Sequence, residues 1–455
     1  MMDSKCFQEP KHPKHQNFYD RIILKTMEFE KIRDALKKGE GEKAKIRGWI
    51  YRKRKGGKII FIVVRDSTGI IQVIVEKGKV VDEEFQNAKK ALIESSIEVE
   101  GVIHEDERAP GGREIHATKF NVVGFAEEFP ITEYQSVEFL LDNRHLWLRS
   151  RKLTEVMKLK AKTLKFIREW FDENEFWEVT PSVITMNAAE GGATVFSFDY
   201  FGQKAYLSQT AQMYLEALIF SLERVWSLTP SFRAEKSRTR RHLIEYWHLE
   251  AEEAWVRNEE NMKLQEEMIS YVCQKVAKEC KEQLEFLGRD PKDLMVVEPP
   301  FKRIKYKDAI KILQEKGFDI QWGDDFGAPH EKALVEEEEK PIFVTHFPAE
   351  SKAFYMKLSP DKKTVECADM LAPEGYGEII GGSEREEDIE SMIERLKKDG
   401  ANIENYQWYF DLRRYGSVPH SGFGLGMERL ICWLAKLEHI RDATPFPRLL
   451  RRAYP

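Results

Sequence analysis

The sequence predicts an α+β protein in which a small β-barrel precedes a larger domain of strands and helices. Three observations lead to this prediction. Short β-rich runs crowd the segment from Ala44 to Ala126, and apolar residues then recur at helical spacing from about Leu153 to Asn174. Side chains also alternate in character from Pro230 to Glu252, as they do in a β-hairpin. We therefore divide the chain into an N-terminal extension (1–40), a barrel domain (41–126), a connector (127–145) and a large domain (146–455).

The amino-acid composition predicts a globular protein of several domains and excludes several other classes of protein. The 455 residues are 42% hydrophobic, which is enough for two or three domain cores. No run approaches the roughly 18 apolar residues of a membrane helix, and the polar N-terminus lacks the apolar region of a signal peptide, so we expect a cytoplasmic protein without a membrane partner. Five scattered cysteines indicate neither a disulfide framework nor a zinc site. A net charge of -6 does not suggest a general nucleic-acid binder, and DNA is not an expected partner.

The barrel prediction depends on five strand-like runs and one helix between the third and fourth of them. The helix is expected from Asp82 to Ser95. Five strands with a helix in this place fit an OB-fold, a small barrel whose open face binds single-stranded nucleic acid. The runs are Lys45–Tyr51, Ile59–Arg65, Ile70–Val75, Ser96–Ile103 and Ile115–Val123.

Basic and aromatic residues cluster on the first two of these strands. They supply the charge and stacking surface that single-stranded nucleic acid needs. A barrel with an ordinary basic rim is the alternative interpretation. The cluster comprises Arg47, Trp49, Arg52, Lys53, Arg54 and Phe61.

The large domain begins with its long amphipathic helix. A strand at Glu178–Thr180 then stops at Pro181, since proline is confined to strand ends or edges. A second long helix is expected from about Asn258 to Leu284, and the last helix starts near Gly426.

An arginine-rich loop joins the two arms of the predicted hairpin. Arginine forks match phosphate oxygens bidentately, so the loop from Lys236 to Arg241 is suited to holding a polyphosphate, although a solvated basic turn has the same composition. Glu235 and Glu245 favour the first interpretation, because carboxylates among such arginines are useful where a metal ion or an amine must also be placed.

A glycine run, Gly422–Arg429, lies near the end of the chain. It is a poor dinucleotide-binding motif because its spacing is G-x-G-x-G and no β-α-β unit surrounds it. The run instead indicates a helix start where a ligand lies close to the backbone. Arg429, one turn into that helix, could stack on a nucleobase.

Together these segments resemble the class II aminoacyl-tRNA synthetases. The helix and strand ending at Pro181, the hairpin with Phe232–Glu235 and Arg241–Tyr246, and the run ending in Arg429 are similar to motifs 1, 2 and 3 of that family, in the same order. An OB domain ahead of them is typical of the subgroup of aspartyl, asparaginyl and lysyl enzymes. The resemblance implies a catalytic domain built on an antiparallel β-sheet flanked by helices, and a homodimer.

The resemblance also implies how ATP and Mg²⁺ would be held. Arg233 would hold the α-phosphate, Arg241 and His242 the outer phosphates, and Tyr246 and Arg429 the adenine. Glu378, with Asp369 upstream, resembles the acidic pair that carries Mg²⁺. The expected ATP-binding set is Arg233, Glu235, Arg241, His242, Leu243, Tyr246, Glu378, Gly426 and Arg429; Arg233, Glu235 and Arg429 are the expected catalytic members.

Within the subgroup, the segment Tyr206–Ala217 resembles the asparaginyl enzymes. Aspartyl enzymes place a substrate-pairing lysine where this chain has Leu215, and Glu216 adds a negative charge that would repel aspartate and accept a hydrogen bond from an amide. Arg414 resembles the arginine that contacts the substrate side chain, and Glu190 with Gln212 resembles the α-amino site. The expected substrates are L-asparagine and tRNA(Asn).

Expected anticodon contacts are Arg52, Phe61 and Gln72, although Phe61 could be a core residue and Gln72 an exposed polar strand residue. Three other functions remain open. One is an aspartyl-tRNA synthetase of relaxed specificity, which Leu215 disfavours. The others are a paralogue that forms asparagine or an adenylate without tRNA, and a nucleic-acid binder without enzymatic activity.

Overall fold

The computed structural model describes residues 29–189, 195–236 and 239–455. The chain forms two compact units that divide between Gln135 and Ser136, inside the predicted connector. Within the described residues, no helix combines the length and the hydropathy that a transmembrane span requires.

The described residues form helices and strands with the following bounds. The helices are α1 (Ile32–Ala35), α2 (Asp82–Lys90), α3 (Val137–Asp142), α4 (Arg144–Trp147), α5 (Arg151–Glu173), α6 (Gln212–Leu222), α7 (Asn258–Glu279), α8 (Lys281–Leu287), α9 (Lys292–Met295), α10 (Tyr306–Glu315), α11 (Ala328–Leu334), α12 (Ile389–Lys398), α13 (Gln407–Arg414) and α14 (Met427–Leu434). The strands are β1 (Lys43–Lys55), β2 (Ile59–Arg65), β3 (Ile70–Glu76), β4 (Ser96–Glu105), β5 (Arg113–Gly124), β6 (Trp177–Glu178), β7 (Ile184–Thr185), β8 (Ser197–Tyr200), β9 (Gln203–Leu207), β10 (Arg224–Phe232), β11 (Glu245–Ala254), β12 (Lys302–Lys305), β13 (Ile342–Thr345), β14 (Cys367–Ala372), β15 (Gly377–Glu384) and β16 (His420–Gly426).

The first unit is a closed five-stranded barrel with strand order β1-β2-β3-β5-β4. Alternate residues of β2 are buried, because successive side chains of a strand point to opposite faces. The predicted OB-fold, with its helix between β3 and β4, is confirmed. That helix ends at Lys90 rather than at the predicted Ser95: Ala91 is extended, and the Lys53 ammonium donates to the carbonyl oxygens of Lys89 and Ala91.

The second unit is organised around an eight-stranded sheet with the order β12-β13-β14-β15-β16-β11-β10-β6. Its strands pair antiparallel from β13 to β10, as predicted, whereas both edges pair parallel, β12 with β13 and β6 with β10. A separate three-stranded sheet has the order β7-β9-β8. The predicted antiparallel sheet is thus a mixed sheet whose central strands are antiparallel.

Helix α5 covers the sheet with the apolar face that the sequence predicts. Ser150 caps its first turn, and Val156, Leu159 and Phe171 are fully buried. Phe171 stacks on Trp226 of β10, with ring centroids 4.5 Å apart. Burial of such side chains supplies the main favourable free energy of folding.

The hairpin β10–β11 lies in the sheet interior, with β16 against β11 and β6 against β10. Its strands pair from Arg224 with Glu253 to Phe232 with Glu245, so the connection is longer than the predicted Lys236–Arg241 loop. The expected helix from Asn258 to Leu284 is instead two helices, α7 and α8, because Cys280 between them is not helical.

Candidate active site

Two adjoining cavities open on the face of the sheet formed by β10, β11, β15 and β16. The smaller has a volume of about 90 Å³, and the larger has a volume of about 800 Å³. All nine residues of the expected ATP-binding set line the smaller cavity. Arg233, Arg241 and Arg429 also line the larger one, which places them where the two cavities meet.

Arg429 and Glu378 form an ion pair across the smaller cavity. The Arg429 Nη1 atom is 3.0 Å from Glu378 Oε2 and 3.0 Å from the Glu378 carbonyl oxygen. Burial by itself would raise the pKa of Glu378, but the positive charges of Arg429 and Lys352 lower this pKa to about 2. The Glu378 carboxylate is therefore ionised at neutral pH.

Glu331 of α11 is a member of the site that sequence reasoning missed. Its Oε2 atom accepts hydrogen bonds from Arg241 Nη1 at 2.7 Å and from the Glu378 amide at 2.8 Å. Gly377 makes room for this contact: its φ is +68°, and a Cβ there would overlap the Glu331 and Arg241 side chains. Glu331 thus holds Arg241 against β15.

The two expected metal ligands converge over a glycine. A Cβ on Gly381 would lie 3.5 Å from Asp369 Oδ1 and 3.5 Å from Glu378 Oε1, so the absent side chain leaves a cradle between two carboxylates. Burial raises the pKa of Asp369 to about 6, although Lys352 Nζ lies 2.7 Å from Oδ2 and opposes the shift. Two carboxylates fit Mg²⁺, which usually takes its remaining ligands from phosphates and water.

Aromatic and imidazole side chains line the space near Arg233. The Arg233 guanidinium is 5.7 Å from the centre of the Tyr246 ring, which lies 5.2 Å from the His248 ring. His242 is 4.0 Å from the Glu235 carboxylate. Burial, together with nearby Arg429, lowers the pKa of His242 and favours its neutral form.

The larger cavity continues from Arg233 towards a cluster of buried polar groups. Arg385 is the centre of this cluster: its guanidinium donates two hydrogen bonds to the Glu252 carboxylate and one of 2.8 Å to Ser383 Oγ. Glu252, Gln212 and Tyr355 line the same cavity. The sequence analysis did not single out Arg385, since its only local signal is its place after the glycine pair of β15.

The structure places Glu216, the residue predicted to contact the amide, behind the lining of the larger cavity. Leu215 and Glu216 are fully buried and do not line the larger cavity. The Glu216 carboxylate instead accepts hydrogen bonds from Gln212, Tyr409 and Arg413 and contacts His420. Burial would raise its pKa, but Arg413 and His420 hold the pKa well below its ordinary value.

Arg414, predicted to contact the substrate side chain, is not among the residues that line either cavity. It is exposed and donates to Asp411 at 2.8 Å and to Gln407 at 3.2 Å, whereas Arg413 points inward to Glu216 at 2.7 Å. Successive residues of a helix lie 100° apart, so only one of the two arginines of α13 can face the interior. Glu190 lies outside the described residues.

The three expected anticodon residues share the outer face of the barrel. Strand β2, which carries Phe61, lies between β1 and β3. Its residue Val63 pairs with Arg52 of β1 on one side and with Gln72 of β3 on the other. Phe61 is half-buried beneath the Arg54 guanidinium, 4.9 Å away. Gln72 Nε2 donates to Glu114 Oε2 at 2.7 Å, so its amide is held by a partner.

Comparison with known families agrees with both units. Residues 136–450 match the family described as class II tRNA synthetases (D, K and N), and residues 44–123 match the family of OB-fold nucleic acid binding domains. The chain is 53% identical over 424 residues to an asparagine–tRNA ligase of Thermococcus kodakarensis, covering 93% of this chain and 98% of the relative. It is 47% identical to that of Thermoplasma acidophilum, covering 91% and 97%.

Solved structures give the same result. Asparaginyl-tRNA synthetase from Pyrococcus horikoshii, complexed with asparaginyl-adenylate, superposes with a TM-score of 0.91 at 50% identity, covering 94% of this chain and all of that one. The asparaginyl-adenylate complex of the Entamoeba histolytica enzyme gives a TM-score of 0.83 at 33% identity, with coverage of 94% and 100%. With both units matched over nearly their whole length, the chain belongs to the asparaginyl-tRNA synthetases of class II.

Proposed function

We propose that this enzyme activates L-asparagine with ATP, forming asparaginyl-adenylate and pyrophosphate, and transfers the asparaginyl group to the 3′ end of tRNA(Asn) in the cytoplasm. The observation that carries the proposal is the meeting of the two cavities at Arg233. The smaller cavity is lined by the residues expected to bind the nucleotide, and the larger one is lined by polar groups that match an amide side chain.

Each group of the nucleotide has a partner in this proposal. Arg233 binds the α-phosphate, and Arg241 and His242 bind the outer phosphates. Tyr246 and Arg429 enclose the adenine, and Glu235 accepts a hydrogen bond from its amine. Leu243 and Gly426 complete the walls. Because Glu331 already fixes Arg241, the guanidinium is oriented before ATP enters.

Asp369 and Glu378 would hold Mg²⁺, for which the cradle over Gly381 leaves room. When bound, the ion withdraws charge from the outer phosphates and eases the departure of pyrophosphate. Burial by itself would lower the pKa of Lys352, but Asp369, Cys367 and Glu378 together raise it, so Lys352 keeps a positive charge beside these carboxylates.

Chemistry in this site depends on positioning and charge. An asparagine carboxylate oxygen attacks the α-phosphorus in line, the new C–O–P bond forms, and pyrophosphate leaves with its bonding electrons. Negative charge grows on the α-phosphate oxygens, and the Arg233 guanidinium neutralises it. The carboxylate of the substrate is the nucleophile, so no protein nucleophile is required.

Arg385 and Glu252 are the groups we propose for reading the asparagine side chain. The guanidinium donates to the amide oxygen and the carboxylate accepts from the amide nitrogen, a pair of contacts that aspartate cannot make in full. Gln212 binds the α-amino group, and Glu190 assists it. Glu216 accepts hydrogen bonds from Gln212 and Arg413 and so fixes Gln212 in the cavity lining from behind. Leu215 supplies no cation that could pair with the side chain of aspartate.

The barrel face is proposed to bind the anticodon loop. Phe61 stacks on a base, Arg52 contacts a phosphate, and Gln72 hydrogen-bonds to a base edge with the carbonyl oxygen that its contact with Glu114 leaves open. The exposed arginines of β1 add the positive charge that draws in the tRNA backbone.

Two copies of the chain are proposed to pair along α5 and β6. Trp177 of the edge strand β6 is 62% exposed, and it borders a groove of about 560 Å³ whose lining includes Arg168, Phe176 and Trp226. A large exposed aromatic at a sheet edge favours burial against a partner.

Asparagine is expected to drive exchange of pyrophosphate into ATP, and the product is expected to be transferred to tRNA(Asn). Aspartate should support neither step at comparable concentration. The measurement is radiolabelled exchange with each amino acid, followed by charging of purified tRNA. Exchange with aspartate alone would refute the assignment, exchange without charging would indicate an adenylating paralogue, and no exchange would indicate a binding protein.

Replacement of Arg385 by Lys is expected to lower kcat/KM for asparagine in the exchange reaction roughly 10- to 150-fold, since a hydrogen bond to a charged group contributes about 1.5–3 kcal/mol. The matched control, Arg414→Lys, should leave kcat/KM unchanged because Arg414 is exposed and does not line the cavity. The opposite pattern would restore Arg414 as the reader of the amide.

Replacement of Phe61 by Ala is expected to raise the KM for tRNA about 5- to 150-fold while exchange stays intact, because a stacked base contributes about 1–3 kcal/mol. Arg52→Ala should also raise the KM for tRNA, and the ratio of the variant KM to the wild-type KM should increase as the salt concentration falls. Phe125→Ala, which removes another exposed aromatic of the barrel unit, serves as the control. Joint loss of charging and exchange would indicate a folding defect instead.

Light scattering is expected to give twice the 53.3 kDa chain mass. Trp177→Glu should shift this mass towards the monomer, whereas Trp322→Glu, at an exposed tryptophan elsewhere in the domain, should not. A monomeric wild-type enzyme with full activity would rule out the proposed pairing.

A further inference from the structure

His248 lies at the junction of the two cavities, and the proposed activation reaction assigns it no role. It lies on β11, lines both cavities, and is only 8% exposed. Arg233 lines the same junction. A side chain in this position faces the place where the α-phosphate and the amino-acid carboxyl group must meet.

One ring nitrogen of His248 has a partner, and the other does not. Nδ1 is 3.2 Å from Ser231 Oγ, and Nε2 has no hydrogen-bond partner among the described residues. The buried Ser231 hydroxyl has no other partner there either. We assign Ser231 as the donor to Nδ1, an assignment that leaves the ring proton on Nε2. Glu250 Oε2 lies 3.4 Å from Nδ1 and accepts a hydrogen bond from the Ala211 amide. Burial raises the pKa of Glu250 to about 7, which weakens its pull on a proton at Nδ1 relative to an ordinary carboxylate.

The neighbouring strand is shaped to accept this ring. Gly424 of β16 lies diagonally across from His248, and a Cβ on Gly424 would overlap Nε2. Burial, with the positive charges of Arg233 and Arg429, lowers the pKa of His248 to about 3. The imidazole is therefore a neutral donor at physiological pH.

We propose that His248 is a catalytic residue whose Nε2–H donates a hydrogen bond to the carboxyl oxygen of asparagine that becomes the carbonyl oxygen of the adenylate. The inference rests on the proposed function. The donor is preorganised by Ser231 and by the missing side chain of Gly424, and it approaches the substrate without adding a charge that would compete with Arg233.

The donor matters most in the transfer step. The 3′-hydroxyl oxygen of tRNA attacks the carbonyl carbon and forms the ester bond, and negative charge develops on the carbonyl oxygen that faces Nε2. The C–O bond to phosphate then breaks, AMP leaves with its electron pair, and the hydroxyl proton goes to the AMP phosphate. His248 keeps its proton throughout, and a donor aimed at the developing charge lowers the barrier.

Two conservative variants separate the two ring nitrogens. Gln places an amide N–H near the position of Nε2, and Asn places a polar atom near Nδ1 without reaching the cavity. We expect His248→Asn to slow single-turnover transfer from preformed adenylate by about 100- to 1000-fold, and His248→Gln to stay within about tenfold of wild type. Equal losses in both variants, or no loss in His248→Asn, would overturn the inference.

Two adenylate analogues supply a readout that does not depend on activity. Asparaginyl sulfamoyl adenosine keeps the carbonyl group, and asparaginol adenylate has a methylene in its place. Measured by calorimetry, the affinity for asparaginyl sulfamoyl adenosine should fall at least tenfold in His248→Asn, whereas the affinity for asparaginol adenylate should stay the same. The wild-type and His248→Asn proteins should unfold at the same temperature. An equal loss of affinity for both analogues would overturn the role of His248 but not the proposed function. A wild-type enzyme that binds neither analogue would overturn both.

Discussion

Pairing of buried charges is the constraint on which this site depends. Leaving one member of a buried ion pair alone costs several kcal/mol, so an ionised carboxylate at or behind the sheet face is stabilised by a cation held beside it. Among the described residues, such pairs include Glu378–Arg429, Asp369–Lys352, Glu216–Arg413 and Glu252–Arg385. A polyphosphate that enters the site meets arginines already oriented by carboxylates, and therefore replaces or joins existing partners instead of ordering loose side chains.

These pairs also join segments that are distant in the chain. Glu378 on β15 is paired with Arg429 on α14, and Glu216 on α6 is paired with Arg413 on α13. Each pair forms only when the strand order around β11 is correct, because the order brings β15 and β16 beside the hairpin. Assembly of the sheet and assembly of the binding groups are consequently one event, and an error in register would leave charges buried without partners.

Sequence reasoning reached the parts of the site that are local. The hairpin and the glycine run are contiguous, and their resemblance to family motifs supplied most of the nine expected nucleotide residues, all of which line one cavity. It failed where the choice depended on tertiary contacts. Arg413 and Arg414 are chemically identical neighbours, and only the packing of α13 selects between them. Arg385, Lys352 and Glu331 meet partners far away in sequence, and no local pattern marks those contacts.

Two glycines at the floor of the larger cavity contribute to the site by leaving space, although they have no side chain. Gly424 leaves room for an imidazole ring, and Gly381 leaves room between two carboxylates. Alanine is ordinarily the mildest of replacements, yet its methyl group would overlap the His248 ring at position 424 and would lie between the Asp369 and Glu378 carboxylates at position 381. The active site is thus specified partly by empty volume, which a survey of polar and charged side chains would not register.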